Sequence, residues 1–156
     1  MEEMKSLFEA IRNDNVDQVR QLLEALPRMV NEKDDRGFSP LVLATYYGRL
    51  EVTEKILSLG ADIDAQDASG NTALMGVCFK GNIEIANLLL EKGAAVNVRN
   101  NTGATALIYS AMYGHREMCS LLLKAGADKS LRDNEGRTAM NHATSKGSLD
   151  IQVLFE

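Results

Sequence analysis

Apolar residues recur at helical spacing as Val52/Ile56/Leu57, Ile85/Leu89/Leu90, Met118/Leu122/Leu123 and Ile151/Phe155, and each set lies 33 residues after the last. Each predicts a helix with one apolar stripe. A shorter helix precedes each of them, opened by Ser39-Pro40-Leu41, Thr72-Ala73-Leu74, Thr105-Ala106-Leu107 or Thr138-Ala139-Met140. Ser or Thr suits the N-cap, where the hydroxyl accepts from an otherwise orphaned backbone N–H. Pro40 falls in the first turn, where its missing N–H costs nothing.

Glycines punctuate this pattern on three combs of the same period. Gly48, Gly81, Gly114 and Gly147 end the first helix, and Gly60, Gly93 and Gly126 end the second. Gly37, Gly70, Gly103 and Gly136 mark a turn between units. A chain that makes the same turns once per unit is a stack of units, because a single two-helix unit cannot bury its apolar face alone. The blocks are 34–66, 67–99, 100–132 and a shorter 133–156. Within residues 1–33, Ala10, Val16, Val19, Leu22 and Leu23 fit the same columns at an offset of 34, with Asp14 in the helix-ending slot. This degenerate copy carries Glu2, Glu3, Lys5, Arg12, Asp17 and Arg20, a composition suited to a polar end cap. The expectation is one all-α domain over residues 1–156.

The recurring unit, D/N-x-x-G-x then Ser or Thr, Pro or Ala, and Leu or Met, closing on Gly-Ala, resembles the ankyrin repeat and its D-x-x-G-x-T-P-L…A…G…L-L-x-x-G-A-D pattern. That resemblance implies a solenoid of stacked helix–turn–helix units with protruding β-hairpin loops. The stretch from Gly70 to Gly81 is similar to free-standing bacterial ankyrin proteins. Ankyrin repeats usually carry histidine after the T-P-L triplet; the slot here holds Val42, Met75, Ile108 and Asn141. The imidazole-to-hairpin hydrogen bond is therefore expected to be absent and the hairpins less rigid. Glu156 stands where the other repeats have Leu57, Leu90 and Leu123, so the last helix is expected to fray.

No apolar run approaches the roughly 20 residues that span a membrane, and the opening Met-Glu-Glu-Met-Lys-Ser shows no signal-peptide core. Cys78 and Cys119 sit in columns of small residues, as expected of buried thiols in a reducing compartment rather than a disulfide. The expectation is a cytoplasmic monomer without a cofactor or metal. No nucleophile–base pair, zinc-ligand spacing or phosphate loop is visible, so no enzymatic activity is expected. His115 follows Gly114, a common ankyrin histidine with a structural role. His142 shares a first-helix column with Leu43, Gly76 and Tyr109, expected to border the concave face, where it would contact a binding partner; no residue is expected to pair with it as a base.

In ankyrin-like proteins the recognition surface is the hairpin tips and the exposed end of the first helix. The resemblance therefore assigns partner binding to Arg36, Phe38, Tyr46, Tyr47, Phe79, Lys80, Arg99, Met112, Tyr113, Arg132, Arg137 and Lys146. Five of the eight aromatics in the chain are in this set, and large stiff side chains suit binding hot spots. The whole surface so defined carries six bases (Arg36, Lys80, Arg99, Arg132, Arg137, Lys146) against two acids (Asp35, Glu135), although the chain has net charge −5. The expected function is protein–protein interaction in a concave groove, with a protein or peptide partner that is acidic and carries an apolar anchor. Alternatives are a regulatory subunit of an enzyme complex, or a nucleic-acid binder using the basic stripe. The net charge argues against the last, because non-specific affinity for nucleic acid comes from neutralising phosphates.

Overall fold

In this computed structural model, which describes residues 1–156, ten α-helices alternate between two rows. The inner row is α1 (Glu2–Arg12), α3 (Pro40–Tyr46), α5 (Ala73–Lys80), α7 (Ala106–Met112) and α9 (Ala139–Ser145). The outer row is α2 (Val16–Ala25), α4 (Leu50–Ser58), α6 (Ile83–Glu91), α8 (Arg116–Lys124) and α10 (Leu149–Gln152). Each helix packs on its hairpin partner and on the next helix of its own row. Most have seven to eleven residues, too short to persist alone in water. Stacking is what holds them.

The inner row packs closely because one column is small throughout: Ala10, Ala44, Val77, Ser110 and Ala143 are all buried. Leu41, Leu74 and Leu107 from the inner row and Val52, Ile85 and Met118 from the outer row belong to one buried apolar seam that runs from Leu7 to Phe155. The caps follow the sequence. Ser39, Thr72, Thr105 and Thr138 accept from the N–H groups of Val42, Met75, Ile108 and Asn141. Asp14, at φ +57°, is the one non-glycine residue in the left-handed region, in the slot where the other repeats use glycine. Asn31, Asp64 and Asn97 each accept from a backbone N–H of the following repeat, at Asp62, Ala95 and Asp128, all at 2.8 Å. These bonds tie each repeat to its neighbour along the outer edge.

The loops between repeats are hydrogen-bonded turns and not β-hairpins. Each closes on itself through two backbone bonds, such as Asp67 N–H to Asn71 O and Gly70 N–H to Asp67 O, both at 2.9 Å. Five residues are too few to lay down a ladder. Adjacent tips touch through single backbone bonds, Asn101 N–H to Ser69 O and Asn134 N–H to Thr102 O. The missing imidazole is replaced as a lock: the side-chain oxygen of Asp34, Asp67, Asn100 or Asp133 accepts two backbone N–H groups within its own turn. At the C-terminal end α10 has only four residues and tightens into a 3-10 turn over Val153–Phe155. Phe155 nevertheless remains buried, and its carbonyl accepts from Lys129 Nζ.

Candidate functional site

The inner helices end in a row of exposed aromatics: Tyr46 is 52 %, Tyr47 37 %, Phe79 46 % and Tyr113 45 % accessible. They do not form one even stripe. Phe79 and Tyr113 meet edge to face with ring centroids 4.7 Å apart, and Tyr109 extends the group at 6.1 Å from Tyr113. Tyr46 and Tyr47 form a second edge-to-face pair at 5.3 Å. Tyr47 leans away toward α1, where Arg12 Nε donates to its hydroxyl at 3.2 Å.

Between these groups lies a cavity of about 300 Å³ on the concave side of α3, α5 and α7. Phe38, Tyr46, Phe79, Tyr109 and Tyr113 form its walls, and Gly76, Asp67 and Asn71 also border it. Phe38, Tyr46, Phe79 and Tyr113 were expected from the sequence. Tyr109 and Gly76 stand in the column expected to border the concave face and Asn71 at a turn tip, but these three and Asp67 were not among the residues assigned to partner binding. Of these, Gly76 carried a visible signal: among the twelve glycines it is the one outside all three combs. Met112 and Arg137 border a separate depression nearer the C-terminus, and Lys146 lines a third beside Tyr113.

The basic residues are less free than their sequence suggests. Arg99 donates to the carbonyls of Gly103 and Arg132, and Arg132 donates to the Gly136 carbonyl, so both guanidinium groups tie the turn row together. Arg137 pairs with Glu135 and approaches Asp133. Arg36 pairs with Asp34 and covers the Phe38 ring, 4.6 Å from its centroid. Lys80 stands over the face of Tyr46 at 4.4 Å. Lys80 and Lys146 are engaged neither by a carboxylate nor by a backbone carbonyl, unlike the four arginines.

His142 corrects an expectation. It does not present to a partner: it is buried, and its Nε2 donates to Asp133 Oδ2 at 2.8 Å. The column is half-buried at Gly76 and Tyr109 but closed here, where the His142 ring folds back on its own turn. His115 donates through Nε2 to the Phe79 carbonyl at 3.0 Å, bracing the end of α5. Cys78 and Cys119 are buried free thiols, and burial pushes both up to about 12, which leaves no thiolate at neutral pH. No group of three or more His, Cys, Asp or Glu side chains is placed to hold a metal ion, and no helix is long and apolar enough to cross a membrane.

Comparison with known proteins bears on this architecture directly. The profile described as ankyrin repeats (three copies) matches residues 2–67, 57–133 and 74–155. The chain belongs to the ankyrin repeat family. Repeats of this family are generally protein-interaction modules and typically non-catalytic. Part of the ankyrin repeat chain is similar to human DNA-binding protein RFXANK, 33 % identical over 57 residues, covering 36 % of this chain and 22 % of that protein. Another match is oxysterol-binding protein-related protein 1 of mouse, 36 % identical over 69 residues and covering 38 % of this chain and 7 % of that protein. The human counterpart is 35 % identical over 71 residues. The chain thus spans less than a quarter of the length of these relatives.

Proposed function

We propose that this ankyrin repeat protein is a non-catalytic interaction module that holds a protein or peptide in its concave groove. The observation that carries the reading is the aromatic-walled cavity of about 300 Å³ between three consecutive inner helices. Rings that stay exposed in the free protein bury large area on binding while losing little side-chain entropy. Lys80 and Lys146, unpaired near the same groove, favour a partner whose segment is acidic around its anchor. A reducing, cytoplasmic setting fits two cysteines that are each buried alone. A regulatory subunit of an enzyme complex would use the same groove. Nucleic-acid binding has less support, since the chain is −5 and Arg99 and Arg132 are engaged by backbone carbonyls.

The test is calorimetric titration of a partner recovered by affinity capture. Tyr46→Ala and Tyr113→Ala should each weaken it by about 2 kcal/mol while scarcely moving the melting temperature. Lys80→Glu should mainly slow association and alter its salt dependence. Arg36, Phe38, Met112, Arg137 and Lys146 are proposed to make peripheral contacts, with Tyr47 at the N-terminal edge. Lys55→Glu, on outer helix α4, is the control. If it weakens binding and the tyrosine changes do not, the groove is not the site.

A further inference from the structure

One column of the inner helices holds Leu43, Gly76, Tyr109 and His142. In each repeat it lies nine residues after the residue that locks the turn: Asp34, Asp67, Asn100 or Asp133. In the last two repeats the column side chain reaches back to that residue. His142 Nε2 donates to Asp133 Oδ2 at 2.8 Å, and Tyr109 Oη accepts from Asn100 Nδ2 at 2.8 Å. In the first repeat Leu43 has nothing to offer, and Arg36 Nη2 stands 3.6 Å from Asp34 Oδ2 instead. The second repeat breaks the rule. Asp67 Oδ1 accepts from the N–H groups of Ser69 and Asn71 as its counterparts do, but Gly76 has no side chain with which to meet Oδ2. Asp67 Oδ2 is the one outer turn atom left without a partner in the chain.

The missing side chain also leaves the space. A Cβ at Gly76 would meet nothing within 4 Å, and neither a left-handed φ nor a close backbone approach calls for glycine there. Over it opens the aromatic-walled cavity, with Asp67 and Asn71 on its border. The Tyr46 ring face is already taken by Lys80 Nζ, so an incoming side chain meets the other rings of the cavity. Burial above all holds the Tyr109 hydroxyl above its ordinary pKa; the hydroxyl accepts from Asn100 Nδ2 and donates to Asn71 Oδ1 on the cavity border.

We propose that this cavity receives a basic side chain of the partner, lysine or arginine, with its apolar stem among the rings and its cationic head donating to Asp67. The partner then supplies in trans what Tyr109 and His142 provide within the chain. A purely apolar anchor would cover the Asp67 carboxylate without giving it a donor, which is costly. A cation gains a charge-assisted hydrogen bond there and attraction from the ring faces along its path. The assignment deepens the groove reading and rests on it: the apolar anchor expected of an acidic segment acquires a charged tip.

The test needs no partner. The protein is titrated with n-butylammonium, 1-butanol and butyrate while backbone amide signals are followed by NMR. Butylammonium should give saturable shifts at Gly76, Phe79 and Tyr109 with an affinity about ten-fold above that of 1-butanol, and butyrate should give none. Asp67→Asn should abolish the preference for the cation; its turn should survive, because Asn100 makes the same backbone contacts one repeat later. Gly76→Tyr should fill the space and remove saturable binding altogether. Equal affinity for 1-butanol, an undiminished preference in Asp67→Asn, or no saturation with any probe overturns the assignment. If the preference is absent while Tyr46→Ala still weakens a partner, the cation is wrong and the groove stands. If the preference is present and the tyrosine changes are silent, the pocket is real and the groove reading fails.

Discussion

Asp133 and two glycines show how differently single residues act within one repeating frame. Gly103 has φ +76°, and a Cβ there would stand 2.5 Å from Asn134 Oδ1 and 2.9 Å from Asn134 N. Gly103→Ala should therefore cost about 1–2 kcal/mol, combining left-handed strain with displacement of the neighbouring turn. Gly76 lies inside α5 with open space beside it, so Gly76→Ala should stabilise by about 0.5–1 kcal/mol. Urea denaturation distinguishes the two, and a loss of stability at Gly76 would contradict its being dispensable to the helix. At Asp133, burial works against the charge, but the Arg137 N–H, the His142 ring and the Glu135 N–H together hold the carboxyl below its ordinary pKa. A depressed folded pKa means that the stabilisation is complete above the unfolded value, about pH 4, and is lost as pH falls through the folded one. Asp133→Asn should flatten the acid limb of a stability–pH curve below about pH 4. An acid limb as steep as the wild type's would place the effect elsewhere.

Among the elements, the outer helices differ most in what surrounds them. Leu89 on α6 and Leu122 on α8 are wholly buried between two neighbours. Truncation to alanine should cost about 2–5 kcal/mol at either, through lost burial and the cavity left behind. Phe155 occupies the corresponding column beyond α10, covered by a repeat on one side only and 8 % accessible. Phe155→Ala should cost clearly less than Leu122→Ala in equilibrium unfolding, despite removing the larger side chain. A greater loss at Phe155 would mean that the last turn anchors the stack.

For the whole molecule, nearest-neighbour stacking predicts a gradient of stability with the ends lowest. Hydrogen exchange should be slowest over residues 83–92, which pack between repeats on both sides, and faster over residues 148–156. Equal protection of the two segments would indicate all-or-none unfolding. The groove lies over the centre of that gradient, on α3, α5 and α7. Its walls therefore belong to the best-supported helices, and binding there should require little reordering.

The sequence by itself determined the period, the order of helices, their caps and the apolar seam. Each of these is set by local pattern: a hydroxyl at an N-cap, a glycine at a left-handed position, an apolar residue every third or fourth place. It also marked Tyr46, Phe79 and Tyr113 at the ends of inner helices, and Phe38 in the turn before α3, because equivalent positions of stacked repeats come into one neighbourhood. The tertiary structure decided what the remaining polar residues do. His142 reads as available until its ring is seen on Asp133, and Arg99 and Arg132 read as a basic rim until their guanidinium groups are seen on carbonyls. Gly76 stands out in the sequence as the glycine off the combs, but Asp67 and Tyr109 do not, and the three become a pocket only when α5 lies between its neighbours. A cavity is an absence in one repeat bounded by side chains of the next, and no pattern along a single repeat records it.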